Sequence, residues 1–172
     1  MDEAAIRLAL RITARTTFVL FVCAFTGNAL RDIFSGRFFT WLAAKRDWFL
    51  LGMAASHTVH LAAIIALFKL LGPSRLNLAT VLGGGFVYLL IYALAVGATM
   101  RLGGREPRSL LGSPRFEAVA LYLIWLIFAL AFVPRIVSGW PVYSLFGAAA
   151  LAALVLRVAC LVRYRRARSA TA

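Results

Sequence analysis

Two histidines stand three residues apart in the stretch GMAASHTVHL, Gly52 to Leu61, and they are the only two in the chain. A neutral imidazole can ligate a metal or a heme iron, relay a proton, or hydrogen-bond a neighbouring helix. In a helix each residue turns 100°, so His57 and His60 project about 60° apart and ~4.5 Å apart along the axis, broadly on one face. The surrounding run is apolar, and at ~1.5 Å rise per residue His57 lies ~14 Å and His60 ~18 Å beyond Trp48, an aromatic of the kind that marks a membrane interface. Both side chains are therefore expected near the middle of a bilayer, where ionisable groups are costly and face a bundle interior. Ser56 and Thr58 are on hand as hydrogen-bonding neighbours.

The remaining residues narrow the chemistry. A zinc ion would need further ligands, and the chain offers no third histidine, no paired cysteines and no carboxylate at that depth. A proton-driven transporter would need a carboxylate inside the bundle, whereas Asp32, Asp47, Glu106 and Glu117 fall at helix ends or in loops. Heme is then the best ligand for a buried membrane histidine. Axial ligands approach an iron from opposite faces of the porphyrin, so two imidazoles on one helix face supply one axial bond at most. The alternative open at this point is a purely structural pair, hydrogen-bonded to adjacent helices.

These side chains need membrane-spanning elements to hold them. Of the 172 residues, 63% are hydrophobic and 15% charged, well beyond the apolar share of an ordinary soluble domain. A span takes ~20 apolar residues, and five segments qualify: 12–30, 48–71, 76–100, 116–137 and 142–162. The expected fold is an all-α polytopic bundle of five transmembrane helices, one domain over 1–172, with a basic tail at 163–172. Asp2 and Glu3 open the chain, and no cleavable signal peptide is expected. The formal charge of +13 sits almost wholly between apolar runs, a pattern that suits a membrane surface and gives no reason to expect nucleic acid. One side of the five-span arrangement carries 6 basic residues and the other 13, so the N-terminus is expected outside and the C-terminus in the cytoplasm. Arg7, Arg11 and Arg15, at i, i+4 and i+8, mark an interfacial basic extension of the first helix. RYRRARS near the C-terminus reads as an anchor at anionic headgroups. Cys23 and Cys160 read as small apolar fillers.

Small residues recur where helices or a flat ligand can come close. Gly83, Gly84 and Gly85 stand in succession, Ala79 pairs with Gly83 and Ala93 with Gly97, and Ser144, Ala148 and Ala152 repeat every fourth residue. Helix packing accounts for all of them; a porphyrin or lipid lying against Gly83–Gly85 is the second reading.

The order of motifs resembles the ferric-reductase-like transmembrane superfamily, which includes the eukaryotic NADPH oxidases and the heme-binding membrane subunit of the bacterial methionine sulfoxide reductase system. It runs from FTGNALR (Phe25 to Arg31) through the basic turn AKRDWFLLG (Ala44 to Gly52). A histidine follows eight residues after the glycine, then a Gly- and Tyr-containing helix, LLGSPRF (Leu110 to Phe116) and LYLIWLIFALAF. The resemblance covers nearly the whole chain. It implies heme b, electron transfer within or across a membrane, a redox partner protein or a homodimer, membrane lipid as surroundings, and a bacterial inner membrane. His57 and His60 match the family's first histidine set. The second set is missing, because 116–137 holds no histidine, and so are the flavin and nicotinamide domains. Full reductase activity by this chain alone is therefore not expected. One His on a five-coordinate iron, or His60 from two protomers around one heme, would retain the cofactor. Tyr122, Trp125 and Arg135 are candidates for a porphyrin edge or propionate, whereas Met53 and Met100 are poorly placed as ligands. A non-catalytic scaffold that kept the fold and lost the heme is the alternative.

Overall fold

The structure is a computed structural model and describes residues 2–72, 78–105, 113–137 and 141–169. Among these residues there is no strand. Six helices follow one another: α1 (Glu3–Ile33), α2 (Arg37–Ala44), α3 (Arg46–Leu71), α4 (Leu78–Leu102), α5 (Pro114–Phe132) and α6 (Pro141–Ser169). A 3-10 turn, Val133–Arg135, follows α5. Every helix except α2 is long and apolar enough to cross a membrane, which makes this a multi-pass membrane protein. Large aliphatic side chains point outward on the long helices: Leu89, Leu130, Leu145 and Val155 are 66–70% exposed. Lipid tolerates such a surface and water does not.

The helices differ from the expected spans mainly at their ends. α1 starts earlier, with Asp2 Oδ1 accepting the Ala5 backbone N–H at 2.7 Å and Glu3 paired to Arg7 at 2.6 Å. An acceptor and a carboxylate at a helix start satisfy its unpaired N–H groups and its positive end. The fourth expected span, 116–137, stops being α-helical at Phe132. Pro134 explains the break, because its ring removes an N–H and clashes with the carbonyl four residues back. The residues of LLGSPRF up to Gly112, the links at 73–77 and 138–140, and the side chain of Ala79 lie outside the described residues.

The stretch 31–47, expected as a plain connection, contains α2. Gly36, at φ 145°, makes the turn into it, a conformation that L side chains rarely adopt. α2 buries Leu42 and Ala43, and the Leu42 carbonyl lies 3.3 Å from where a Cβ on Gly27 would sit. Gly27 of FTGNALR thus earns its place sterically, as the point where α2 meets the α1 backbone.

The chain forms two compact units, one of residues 1–21 and 47–120 and the other of 22–46 and 121–172. In the first, Gly52 meets Leu20, and Phe18, Phe21, Leu50, Met53, Ile91 and Leu94 are buried. α3, α4 and α5 are tied at one end by Arg101, which bonds Asp47 through Nε at 3.0 Å and Glu117 through an Nη at 3.3 Å.

In the second unit α6 packs through Gly147, Ala150 and Ala153, while Ala148 and Ala152 of the expected stripe are exposed. A Cβ on Gly147 would lie 2.5 Å from Ile136 Cγ1, and the Trp125 indole donates to the Ala150 carbonyl at 2.8 Å. Contact with the turn after α5 selects this face, which helical spacing alone does not reveal.

Candidate functional site

His57 and His60 stack on the same face of α3, with ring centroids 5.4 Å apart and planes 8° from parallel. The one-face geometry expected from their spacing is therefore present. The other side of His57 meets Tyr88 of α4, with centroids 4.2 Å apart, and the Tyr88 hydroxyl donates to the His57 carbonyl at 3.2 Å. One turn along, Tyr92 and Thr58 share a hydroxyl–hydroxyl bond of 2.8 Å.

His60 is held from α1. Its Nδ1 lies 2.8 Å from Thr13 Oγ1. Thr13 Oγ1 in turn lies 2.7 Å from the Ala9 carbonyl. A hydroxyl has one proton to give: with it on a carbonyl of α1 the Thr13 oxygen accepts from His60 Nδ1–H, and with it on His60 the ring nitrogen is the acceptor. Which of the two holds goes with the imidazole tautomer. Below it, Thr17 Oγ1 donates to Ser56 Oγ at 2.9 Å, and Thr17 is fully buried. His57 differs: its Nδ1 is buried with no hydrogen-bond partner among the described residues. A polar atom left so costs free energy to bury.

Ser56 and Thr58 do sit beside the pair, but their bonds go to Thr17 and Tyr92. The residues that sequence reasoning passed over are Thr13, Thr17, Tyr88 and Tyr92. Hydroxyls inside an apolar run, and two tyrosines four apart on α4, were the available signals.

Gly83, Gly84 and Gly85 lie about one turn before Tyr88 on α4. Thr58 with Tyr92 and Asp47 with Arg101 set α3 and α4 antiparallel, which puts the glycines level with the turn of α3 that follows His60. Among the described residues no heavy atom comes within 4 Å of where a Cβ on any of the three would sit. The run therefore meets no neighbouring helix within the described chain and is open on that side.

Tyr122 belongs to the second unit, where it packs edge-on against Phe25 at 5.4 Å. The Arg157 guanidinium lies over both rings, 4.8 Å from Phe25 and 5.3 Å from Tyr122. Trp125 is engaged with α6 as described, and Arg135 lies over Tyr143 at 5.5 Å. Met53 is fully buried packing, and Met100 lines a cavity of about 540 Å³ along the end of α4 with Ala95, Val96, Thr99, Gly103 and Arg105. Among the described residues no three His, Cys, Asp or Glu side chains cluster as a metal site.

For a heme, the donor set fits one axial bond. His60 would offer one ring nitrogen to such a group, with Nδ1 held by the Thr13 hydroxyl, as oriented metal-bound imidazoles are held. Both rings stand on one face of α3, so His57 and His60 would not hold one heme iron between them. No family model, no curated protein and no solved structure matches this chain.

Proposed function

We propose that this protein is a membrane heme b protein of the ferric-reductase-like type, which passes electrons within or across the bilayer to or from a partner. The observation that carries the reading is the Thr13 anchor on His60. It holds the ring, and with Nδ1–H given to Thr13 the Nε2 of His60 would be the nitrogen that binds the heme. Heme, when bound, supplies the one-electron couple. The chain's own residues orient and shield it: Thr13 holds the ligand's ring, His57 and Tyr88 wall one side of His60, and Gly83–Gly85 leave an open side against which a porphyrin can lie. His60 would hold such a heme alone or together with His60 of a second copy. The N-terminus is outside and the C-terminus cytoplasmic, in a bacterial inner membrane, as the charge bias and the resemblance imply. Heme content after purification from heme-replete cells tests the reading; stoichiometric heme b supports it and a heme-free protein ends it.

A scaffold that has lost its cofactor is the second reading. Two observations favour it: the candidate edge residues Tyr122 and Trp125 are already engaged by Arg157 and Ala150, and the glycine strip is open to a partner helix. Under it, replacing both histidines leaves assembly with the partner unchanged.

A further inference from the structure

α2 is joined to α1 by residues 34–36 and to α3 by Lys45 alone, and both neighbours are long enough to span a membrane. With such short links at each end, its eight residues are confined to the membrane surface. Its two sides are unlike. Leu42 and Ala43 are buried on the α1 backbone at Gly27. Phe38 is 63% exposed, with Trp41 at 50% and Phe34, from the preceding turn, at 46%. The exposed rings form one plate: Phe38 stacks on Trp41 at 6.1 Å, meets Phe39 edge-on at 5.5 Å, and Phe34 stacks on Phe39 at 5.3 Å. Arg37 and Lys45 flank the plate, and no acidic residue occurs between Asp32 and Asp47.

We infer that α2 is an in-plane interfacial helix that inserts Phe34, Phe38 and Trp41 among the acyl chains and binds anionic phospholipid through Arg37 and Lys45. An amphipathic helix with aromatics on one side and basic residues at its ends lies in the interface, its apolar side buried ~5–10 Å into the headgroup and acyl boundary. Each basic residue near the surface adds attraction for anionic headgroups. Gly27 lets α2 lie close on α1, since a Cβ there would come 3.3 Å from the Leu42 carbonyl and push the two apart. The inference is independent of heme.

The full chain, reconstituted in mixed phosphatidylcholine and phosphatidylglycerol vesicles brominated either near the headgroup or near the chain end, provides the test. The difference between wild type and Trp41→Phe isolates the Trp41 signal. Trp41 should be quenched more by shallow than by deep bromines, and about twofold more when the bromine is on phosphatidylglycerol at equal mole fraction. Arg37→Gln with Lys45→Gln should remove that anionic preference and leave the depth unchanged. If Trp41→Phe does not assemble, a spin label at Phe38→Cys, with Cys23 and Cys160 changed to Ser, reads the same depth from oxygen and nickel accessibility. Trp41 reached by aqueous iodide and by neither bromolipid overturns the inference, and so does shielding from all three quenchers, which a second copy or partner subunit would produce. Loss of the phosphatidylglycerol preference on adding inorganic phosphate would reassign the basic pair to a free phosphate site and also overturn it.

Discussion

His60 Nδ1 and Thr13 Oγ1 meet at 2.8 Å across 47 residues of chain, joining the middle of α3 to the first half of α1 through one directed hydrogen bond. The threonine hydroxyl also lies within hydrogen-bond reach of the Ala9 carbonyl, and the direction of its bond to His60 goes with the imidazole tautomer. That bond satisfies a polar group inside an apolar bundle and fixes the orientation of the ring.

Thr13→Val removes the hydroxyl while keeping the shape. Loss of a partner that orients a metal-bound histidine typically lowers affinity about ten- to a hundredfold, and an unpaired buried polar group costs about 1–3 kcal/mol. Heme titration and unfolding in detergent should show both losses, with Thr13→Ser restoring most of each. Heme affinity unchanged in a folded Thr13→Val protein would separate the anchor from the ligand.

Gly27 and Gly84 should respond in opposite ways to the same change. A side chain on Gly27 meets the Leu42 carbonyl at 3.3 Å, so Gly27→Val should destabilise by about 1–3 kcal/mol. Gly84→Ala meets nothing within 4 Å, and in the protein without cofactor it should be neutral or stabilise by about 0.5–1 kcal/mol through helix propensity. Paired thermal unfolding curves decide the matter. A bulky Gly84→Leu should then lower heme binding without lowering stability.

Arg101 neutralises two carboxylates from two other helices. Arg101→Gln leaves Asp47 and Glu117 facing each other and should cost more than either Asp47→Asn or Glu117→Gln alone, on the order of 1–3 kcal/mol. A triple variant, Asp47→Asn, Glu117→Gln and Arg101→Gln, should recover part of that loss, as measured by retention of fold on titration with a harsh detergent.

Arg157 rests on the faces of Phe25 and Tyr122. Arg157→Met, which keeps the stem and removes the charge, should cost about 0.5–2 kcal/mol. Arg157→Lys should recover only part of it, because the flat guanidinium covers two rings and an ammonium does not. Tyr122→Phe should change little, since its ring and not its hydroxyl makes these contacts.

The spans were readable because twenty apolar residues in a row are a one-dimensional signal. The one-face placement of His57 and His60 was readable because i, i+3 spacing fixes it locally. Their partners were not: Thr13 and Tyr88 come from other helices, and nothing in the sequence pairs position 13 with 60 or 88 with 57. α2 escaped notice because eight residues make a weak amphipathic pattern, although RFFTWLAA, with aromatics on one side and Leu42 and Ala43 on the other, carries it. The packing face of α6 runs through Gly147, Ala150 and Ala153, with Ser144 bonded to the Ile136 carbonyl and Ala148 and Ala152 turned outward, because Ile136 and Phe132 happen to press there. Small residues on two faces of one helix cannot announce which face will be used.

The central claim is that His60, held by Thr13, is the one histidine that ligates heme. Reduced-minus-oxidised visible spectra of the purified wild type, His57→Ala and His60→Ala, prepared from heme-replete cells, test it most directly. The account predicts a b-type spectrum in wild type, a shifted but present spectrum in His57→Ala, and none in His60→Ala. A colourless wild type, or a His60→Ala protein with its spectrum intact, would contradict it.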